Sequence, residues 1–207
     1  MDNRQYAPAT QRNREPILAV LSRVLPPQGD ILELASGTGE HAIFFAPRLA
    51  PRQWYPSDPN PILRDSIEAW RNHHPADNLH SPLNIDACES KWQVEEKEIE
   101  IKAIVNINMI HISPWQACLG LMSGAGRILP TGGVLYLYGP YKQKGEHTAE
   151  SNRSFDESLR RQNPEWGVRN LEDVARIAQS EGLELQEVVT MPANNLSVIF
   201  HKSQVKI

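Results

Sequence analysis

The sequence predicts an α/β chain with a seven-stranded, mostly parallel sheet, helices on both faces, and a C-terminal antiparallel hairpin. Three observations predict it. Residues Ile31 to His41 join a short apolar run to a turn of small residues and then to a helical pattern, which reads as strand, loop and helix. A second short strand over Gln53–Asp58 ends on a carboxylate nineteen residues after Gly39. The chain closes on two strand-like segments, Leu183–Met191 and Leu196–His201, separated by the turn signal Pro192-Ala193-Asn194-Asn195. At 207 residues it fits one domain, 1–207. A domain of that size buries roughly 70% of its extended-chain surface.

The elements follow in order. Tyr6 to Arg14 is polar and passes into a helical face of Ile17, Leu18, Leu21, Val24 and Leu25, stopped by Pro26-Pro27. Arg12 and Asn13 sit where this helix crosses the edge of the cleft. They read either as groups reaching a ligand carboxylate or as solvated residues at a helix start with Asn13 as its cap. After the glycine turn, Ala42 to Leu49 is apolar on most sides, as a helix packed on a sheet is. Pro59-Asn60-Pro61 supplies capping chemistry for a helix carrying Ile62, Leu63, Ile67 and Trp70. Leu83–Ala87 reads as the end of a third strand, and Ile101–Ile107 is the clearest strand of the chain. A helix from Pro114, a strand over Gly132–Pro140 and a helix after Asn170 complete the alternation. Residues 141–170 are longer and more polar than an ordinary connection, and their place after a strand end suits a lid.

The turn carries the chemistry. Small residues at Ala35, Ser36, Gly37 and Gly39 let the backbone bend sharply and approach a ligand. Gly37, Gly39 and Ala42 fit a dinucleotide fingerprint, which keeps a nicotinamide-dependent oxidoreductase open. Glu33 at the strand end would repel a pyrophosphate and attract the amino group of a methionine moiety. With Glu33 and the terminal hairpin, the stretch more closely resembles motif I of class I S-adenosylmethionine-dependent methyltransferases, Ala35 standing for the first glycine of that motif. Asp58 suits a ribose diol in either reading, because a carboxylate accepts from two adjacent hydroxyls. Strand carboxyl ends open onto the ligand crevice, so Asn106, Asn108 and His111 are the polar groups best placed for the reaction.

Formal net charge is −4, with Lys and Arg scattered rather than striped, which argues against a nucleic-acid backbone as the main partner. Cys88 and Cys118 fit no metal or redox spacing and suit a reducing cytoplasm. The first residues lack a signal-peptide core, and no run approaches the ~20 apolar residues that span a bilayer. The expectation is a cytoplasmic protein with a small-molecule substrate, its oligomeric state unspecified.

From Ala7-Pro8-Ala9 and Arg12-Asn13-Arg14, through Glu33 to His41, to Asn152–Phe155 and Asn163–Gly167, the chain resembles the domain-of-unknown-function-938 family, also called methyltransferase-like 26. The resemblance implies a Rossmann-like class I methyltransferase fold and S-adenosylmethionine binding, without a substrate. In the general methyltransferase pattern an acid after the third strand takes the adenine amino group and the next backbone N–H a ring nitrogen. Those roles fall on Asp86 and Ala87. Arg12, Asn13 and Asn106 join Glu33, Ala35, Ser36, Gly37, Gly39 and Asp58 as cofactor candidates. His111 is the candidate base, with Asn108, Tyr138, Tyr141, Asn152, Arg153, Phe155 and Trp166 as acceptor-side candidates. A non-catalytic binding or interaction module that keeps the fold is the third reading.

Overall fold

The computed structural model of the protein describes residues 2–204. Helix α1 spans Pro8–Val24, and a proline at its start has the right φ and no N–H to leave unpaired. It begins five residues before Asn13, so Asn13 is a buried residue inside the helix and not its cap. Then come β1 (Asp30–Leu34), α2 (Glu40–Arg48), β2 (Gln53–Pro56) and α3 (Pro61–His73), the last capped by Asn60 Oδ1 accepting from the Ile62 N–H at 3.0 Å. A single turn, α4 (Gln93–Glu96), leads to β3 (Ile101–Ile107), α5 (Trp115–Ile128) and β4 (Val134–Gly139). The segment after β4 contains β5 (Tyr141–Gln143), β6 (Glu146–His147), α6 (Glu150–Gln162) and β7 (Arg169–Asn170). It is followed by α7 (Leu171–Ser180), β8 (Leu183–Met191), a 3-10 turn at Pro192–Asn194, and β9 (Asn195–Lys202).

The main sheet runs β2-β1-β3-β4-β9-β8, with β1 to β4 parallel and β9 inserted antiparallel between β4 and β8. It has six strands rather than seven. The expected strand at Leu83–Ala87 reduces to single bridges, Trp54 with Leu79 and Ser57 with Leu83, along the β2 edge. Pro56 on one side and Pro82 on the other cannot donate, so no continuous ladder forms there.

Side chains alternate across the sheet and fill two cores. Leu32, Leu34, Ile104, Leu135, Leu137, Val198 and Phe200 pack with α5 and α7 on one face. Ile31, Val105, Tyr136 and Ile199 pack with α1 and α2 on the other. Chain order reverses between β1 and β3, since β2 lies on one side of β1 and β3 on the other. A parallel sheet opens a crevice at such a point, outside the strands' carboxyl ends.

The segment after β4 forms its own three-stranded sheet, β6-β5-β7. Asp156 of α6 holds it together, receiving the Val168 N–H at 2.7 Å and facing Lys142 at 3.1 Å, Arg160 at 3.2 Å and His147 at 3.3 Å. Asn152 donates to the Asn194 carbonyl at 2.9 Å, and Asn194 donates back to Ser151 Oγ at 3.0 Å, which fastens α6 to the hairpin turn.

Candidate functional site

The first of two cavities lies at the β1/β3 crevice and encloses about 450 Å³. Beyond Leu34 the chain turns through Ala35 and Gly37, both left-handed with φ of 57°. A side chain added at Gly37 would meet nothing within 4 Å, so this glycine presents bare backbone to open space. Ser36 stitches the turn to β2: its N–H donates to the Ser57 carbonyl at 2.7 Å and its Oγ accepts the Ser57 N–H at 3.1 Å. Asp58 accepts the Gly37 N–H at 3.1 Å and the Asn60 N–H at 2.9 Å. Its pKa is raised, burial outweighing those two donors. Leu63, Ile85, Ala87 and Met109 give the cavity an apolar slot with Asp58 and Asp86 at its margins. Apolar walls for a base and carboxylates for a diol and an exocyclic amine fit an adenosine.

The second cavity encloses about 790 Å³ between the start of α1, the β3–α5 loop, the end of β4, α6 and the hairpin turn. His111 lines it and is only 2% exposed, with Nδ1 lacking a hydrogen-bond partner. Burial, helped by the Arg169 cation, pushes its pKa down to about 3, so the imidazole is neutral at working pH. The ring fits because Gly139 has no side chain: a Cβ there would lie 2.6 Å from His111 Cε1. Phe155 packs edge-on against it at 5.8 Å between centroids. Arg169 fixes the loop by donating to the carbonyls of Ile110 at 2.9 Å and Ser113 at 2.7 Å. Gly167 N–H donates to the His111 carbonyl at 3.0 Å. Tyr138 is raised in pKa by burial, the amides of Asn13 and Asn195 pulling the other way. Ile112 lines both cavities, so the two meet at that side chain.

Residues 4–202 match the family described as "Protein of unknown function (DUF938)". The chain belongs to that family. The DUF938 chain also superposes on solved methyltransferase structures. An O-methyltransferase family protein from Burkholderia thailandensis matches with a TM-score of 0.78 at 14% identity, over 96% of this chain and 58% of that one. Human N-acetylserotonin methyltransferase, solved in complex with S-adenosylmethionine, matches at 0.77 and 14% identity, over 95% and 53%. A putative sarcosine dimethylglycine methyltransferase from Galdieria sulphuraria matches at 0.71 and 18% identity, over 94% and 87%. The fold is that of class I S-adenosylmethionine-dependent methyltransferases, and the chain spans little more than half the length of the first two.

The DUF938 fold brings Ala35, Gly37, Asp58, Asp86 and Ala87 together on the smaller cavity. Arg12 and Asn13 instead line the larger one, with Asn108, His111, Tyr138, Asn152 and Phe155. Glu33 lines neither. Strand alternation sends it to the face of Ile31, where its carboxylate accepts from Trp54 Nε1 at 2.9 Å, and burial pushes its pKa up to about 7. Asn106 is turned inward as well and donates to the Leu34 carbonyl at 2.9 Å, tying β3 to β1. Ser36 is occupied in the turn, and Gly39 serves packing, since a Cβ there would meet the Ile67 Cα at 2.9 Å. Tyr141 lies in the core on the α5 side, 1% exposed. Arg153 faces Glu150 at 3.5 Å on the outside of α6, and Trp166 lines neither cavity.

The site also uses residues that the sequence did not single out. Asn194 and Asn195 of the hairpin turn line the larger cavity, as do Ile112 and Ala9. A signal for the turn was present: a hairpin whose last strand runs antiparallel to the rest must turn at their carboxyl edge, where ligands bind. Among the described residues no cluster of three or more His, Cys, Asp or Glu is placed to hold a metal, and no helix is long and apolar enough to cross a membrane.

Proposed function

We propose that this protein transfers a methyl group from S-adenosylmethionine to a small molecule. The observation that carries the reading is Ile112, one side chain that lines both a cavity suited to adenosine and a larger one lined by a neutral histidine. Asp58 and Asp86 hold the ribose and adenine polar groups, Gly37 and Ala35 admit the ligand along the turn, and Leu63 and Ile85 sandwich the base. When bound, S-adenosylmethionine supplies an electrophilic methyl: an acceptor lone pair forms the new bond to carbon, and the carbon–sulfur electron pair returns to sulfur. The chain's own part is positioning and proton handling. Neutral His111 accepts the hydrogen bond of the acceptor's hydroxyl and takes its proton as the new bond forms; burial then favours handing that proton on to solvent through the open cavity. Phe155, packed edge-on against His111, and Ile112 supply apolar wall beside the reacting end, and α6 over the cavity suits a lid.

The β9 insertion and the likeness to methyltransferase structures favour this reading over a nicotinamide-dependent oxidoreductase or a non-catalytic module. Calorimetric titration with S-adenosylmethionine, S-adenosylhomocysteine and NAD tests it. The reading expects both adenosyl ligands to bind and NAD not to. Binding of NAD alone, or of none of the three, overturns it.

A further inference from the structure

The larger cavity has one charged side chain on its wall, and it is a cation. Arg12 lies at the exposed mouth, and no Asp or Glu lines the cavity with it. None of the ion pairs among the described residues engages it. A guanidinium stays charged at any working pH and presents planar, paired donors that match a carboxylate. The buried His111 and Tyr138 on the same wall are neutral groups, and Asn13, Asn108 and Asn195 are neutral amides. Phe155 and Ile112, 40% and 44% exposed, are two of the few large hydrophobic side chains left open, and both face this cavity. Open apolar surface inside a cavity is where a ligand's own apolar body is covered. The lining thus combines one exposed cation, two open apolar side chains and a set of neutral hydrogen-bonding groups that includes the buried His111.

We propose that the methyl acceptor is a hydroxylated carboxylic acid with a flat apolar body, held by Arg12 through its carboxylate at the mouth and presenting its hydroxyl to His111. The inference rests on the methyltransferase reading and specifies the class of its substrate. In the transfer, the acceptor's O–H becomes O–CH3, the proton passes to His111, and S-adenosylhomocysteine departs with the electron pair of the broken carbon–sulfur bond. The carboxylate is not consumed. Its job is to set which end of the molecule enters first, since a reversed acceptor would bury an anion beside neutral groups. Arg12 thereby selects against neutral and cationic compounds that would fill the same apolar space.

The test uses matched pairs: 4-hydroxybenzoate, 4-hydroxycinnamate and 6-hydroxy-2-naphthoate, each against its primary carboxamide. Affinities are measured by calorimetry or saturation-transfer NMR on the intact protein with S-adenosylhomocysteine, for wild type and Arg12→Gln. The expected result is that at least one carboxylate binds about tenfold tighter than its amide on wild type. Arg12→Gln should erase that difference while leaving S-adenosylhomocysteine affinity within about twofold. Equal binding of every pair on wild type overturns the proposal. So does an Arg12→Gln variant that keeps the preference, or one that instead loses S-adenosylhomocysteine, which would make Arg12 an anchor for the cofactor's own carboxylate. Arg12-dependent carboxylate binding by a protein that takes no S-adenosylhomocysteine would keep the anion site and overturn the methyltransferase reading alone.

Discussion

Asp58 accepts the N–H of Gly37 on one carboxylate oxygen and that of Asn60 on the other, and it lines the smaller cavity. Asp58→Ala is therefore expected to weaken S-adenosylmethionine binding by about 2 kcal/mol, because two ribose hydroxyls lose their acceptor and the turn loses a tie. Unchanged affinity by calorimetry would limit Asp58 to holding the loop. The two glycines separate. Gly37→Val should lower the melting temperature somewhat, because φ 57° strains a β-branched residue, and should abolish measurable cofactor binding, because the added side chain enters open space beside the turn. Gly39→Val should lower the melting temperature further, because its side chain, also at a positive φ, meets the α3 backbone at Ile67. The reverse pattern in paired melting and binding experiments would contradict the assignment of these glycines. What sequence reasoning could read here was position along a strand, and what it could not read was facing. Glu33, Asn106 and Tyr141 all sit at strand ends near the crevice, yet each turns into the protein. Because the side-chain period is two, one residue of register decides between core and cavity, and nothing local in these segments fixes that parity.

At the scale of elements, the parallel strands, their order along the chain and the terminal hairpin were legible because each has a strong local signal: apolar runs, glycine turns, an Asn-Asn tip. The edge beyond β2 was not, since whether Leu79 to Ala87 pairs depends on prolines on two separate segments. The start of α1 was missed for a similar reason. A polar first turn looks like loop until it is known that Asn13 bonds His41 at 2.8 Å inside the protein. The segment 141–170 folds as a small sheet with α6 over the larger cavity, tied to the hairpin turn through Asn152 and Asn194. If it works as a lid, its amides over 150–162 gain protection from hydrogen exchange when S-adenosylhomocysteine and an acceptor-like carboxylate are added. Equal exchange with and without them removes the lid from the mechanism.

Across the whole molecule, buried titratable groups on both sides of the sheet set how stability responds to pH. Glu33 is pushed up to about 7, so the folded state holds an extra proton above its ordinary value of 4.5; its contribution is full below that value and is lost as pH rises through 7. His41 and His111 are pushed down to about 4 and about 3, so theirs is full above 6.5 and is lost as pH falls below it. Between pH 4.5 and 6.5 the histidines raise stability with pH while Glu33 lowers it, so in urea melts Glu33→Gln should climb more steeply than wild type through this window, the difference between the two proteins shifting by on the order of 3 kcal/mol from below pH 4.5 to above 7 while Trp54 keeps an acceptor. A pH dependence identical to that of wild type would show that Glu33 does not titrate in this window. The account as a whole turns on two cavities that meet at Ile112, one for the methyl donor and one for its acceptor. A crystal structure with S-adenosylhomocysteine tests this most directly. The account predicts the adenine between Leu63 and Ile85 beside Asp86, the ribose on Asp58, and the sulfur at Ile112 facing His111; an adenine outside that slot, or a sulfur turned away from the larger cavity, would contradict it.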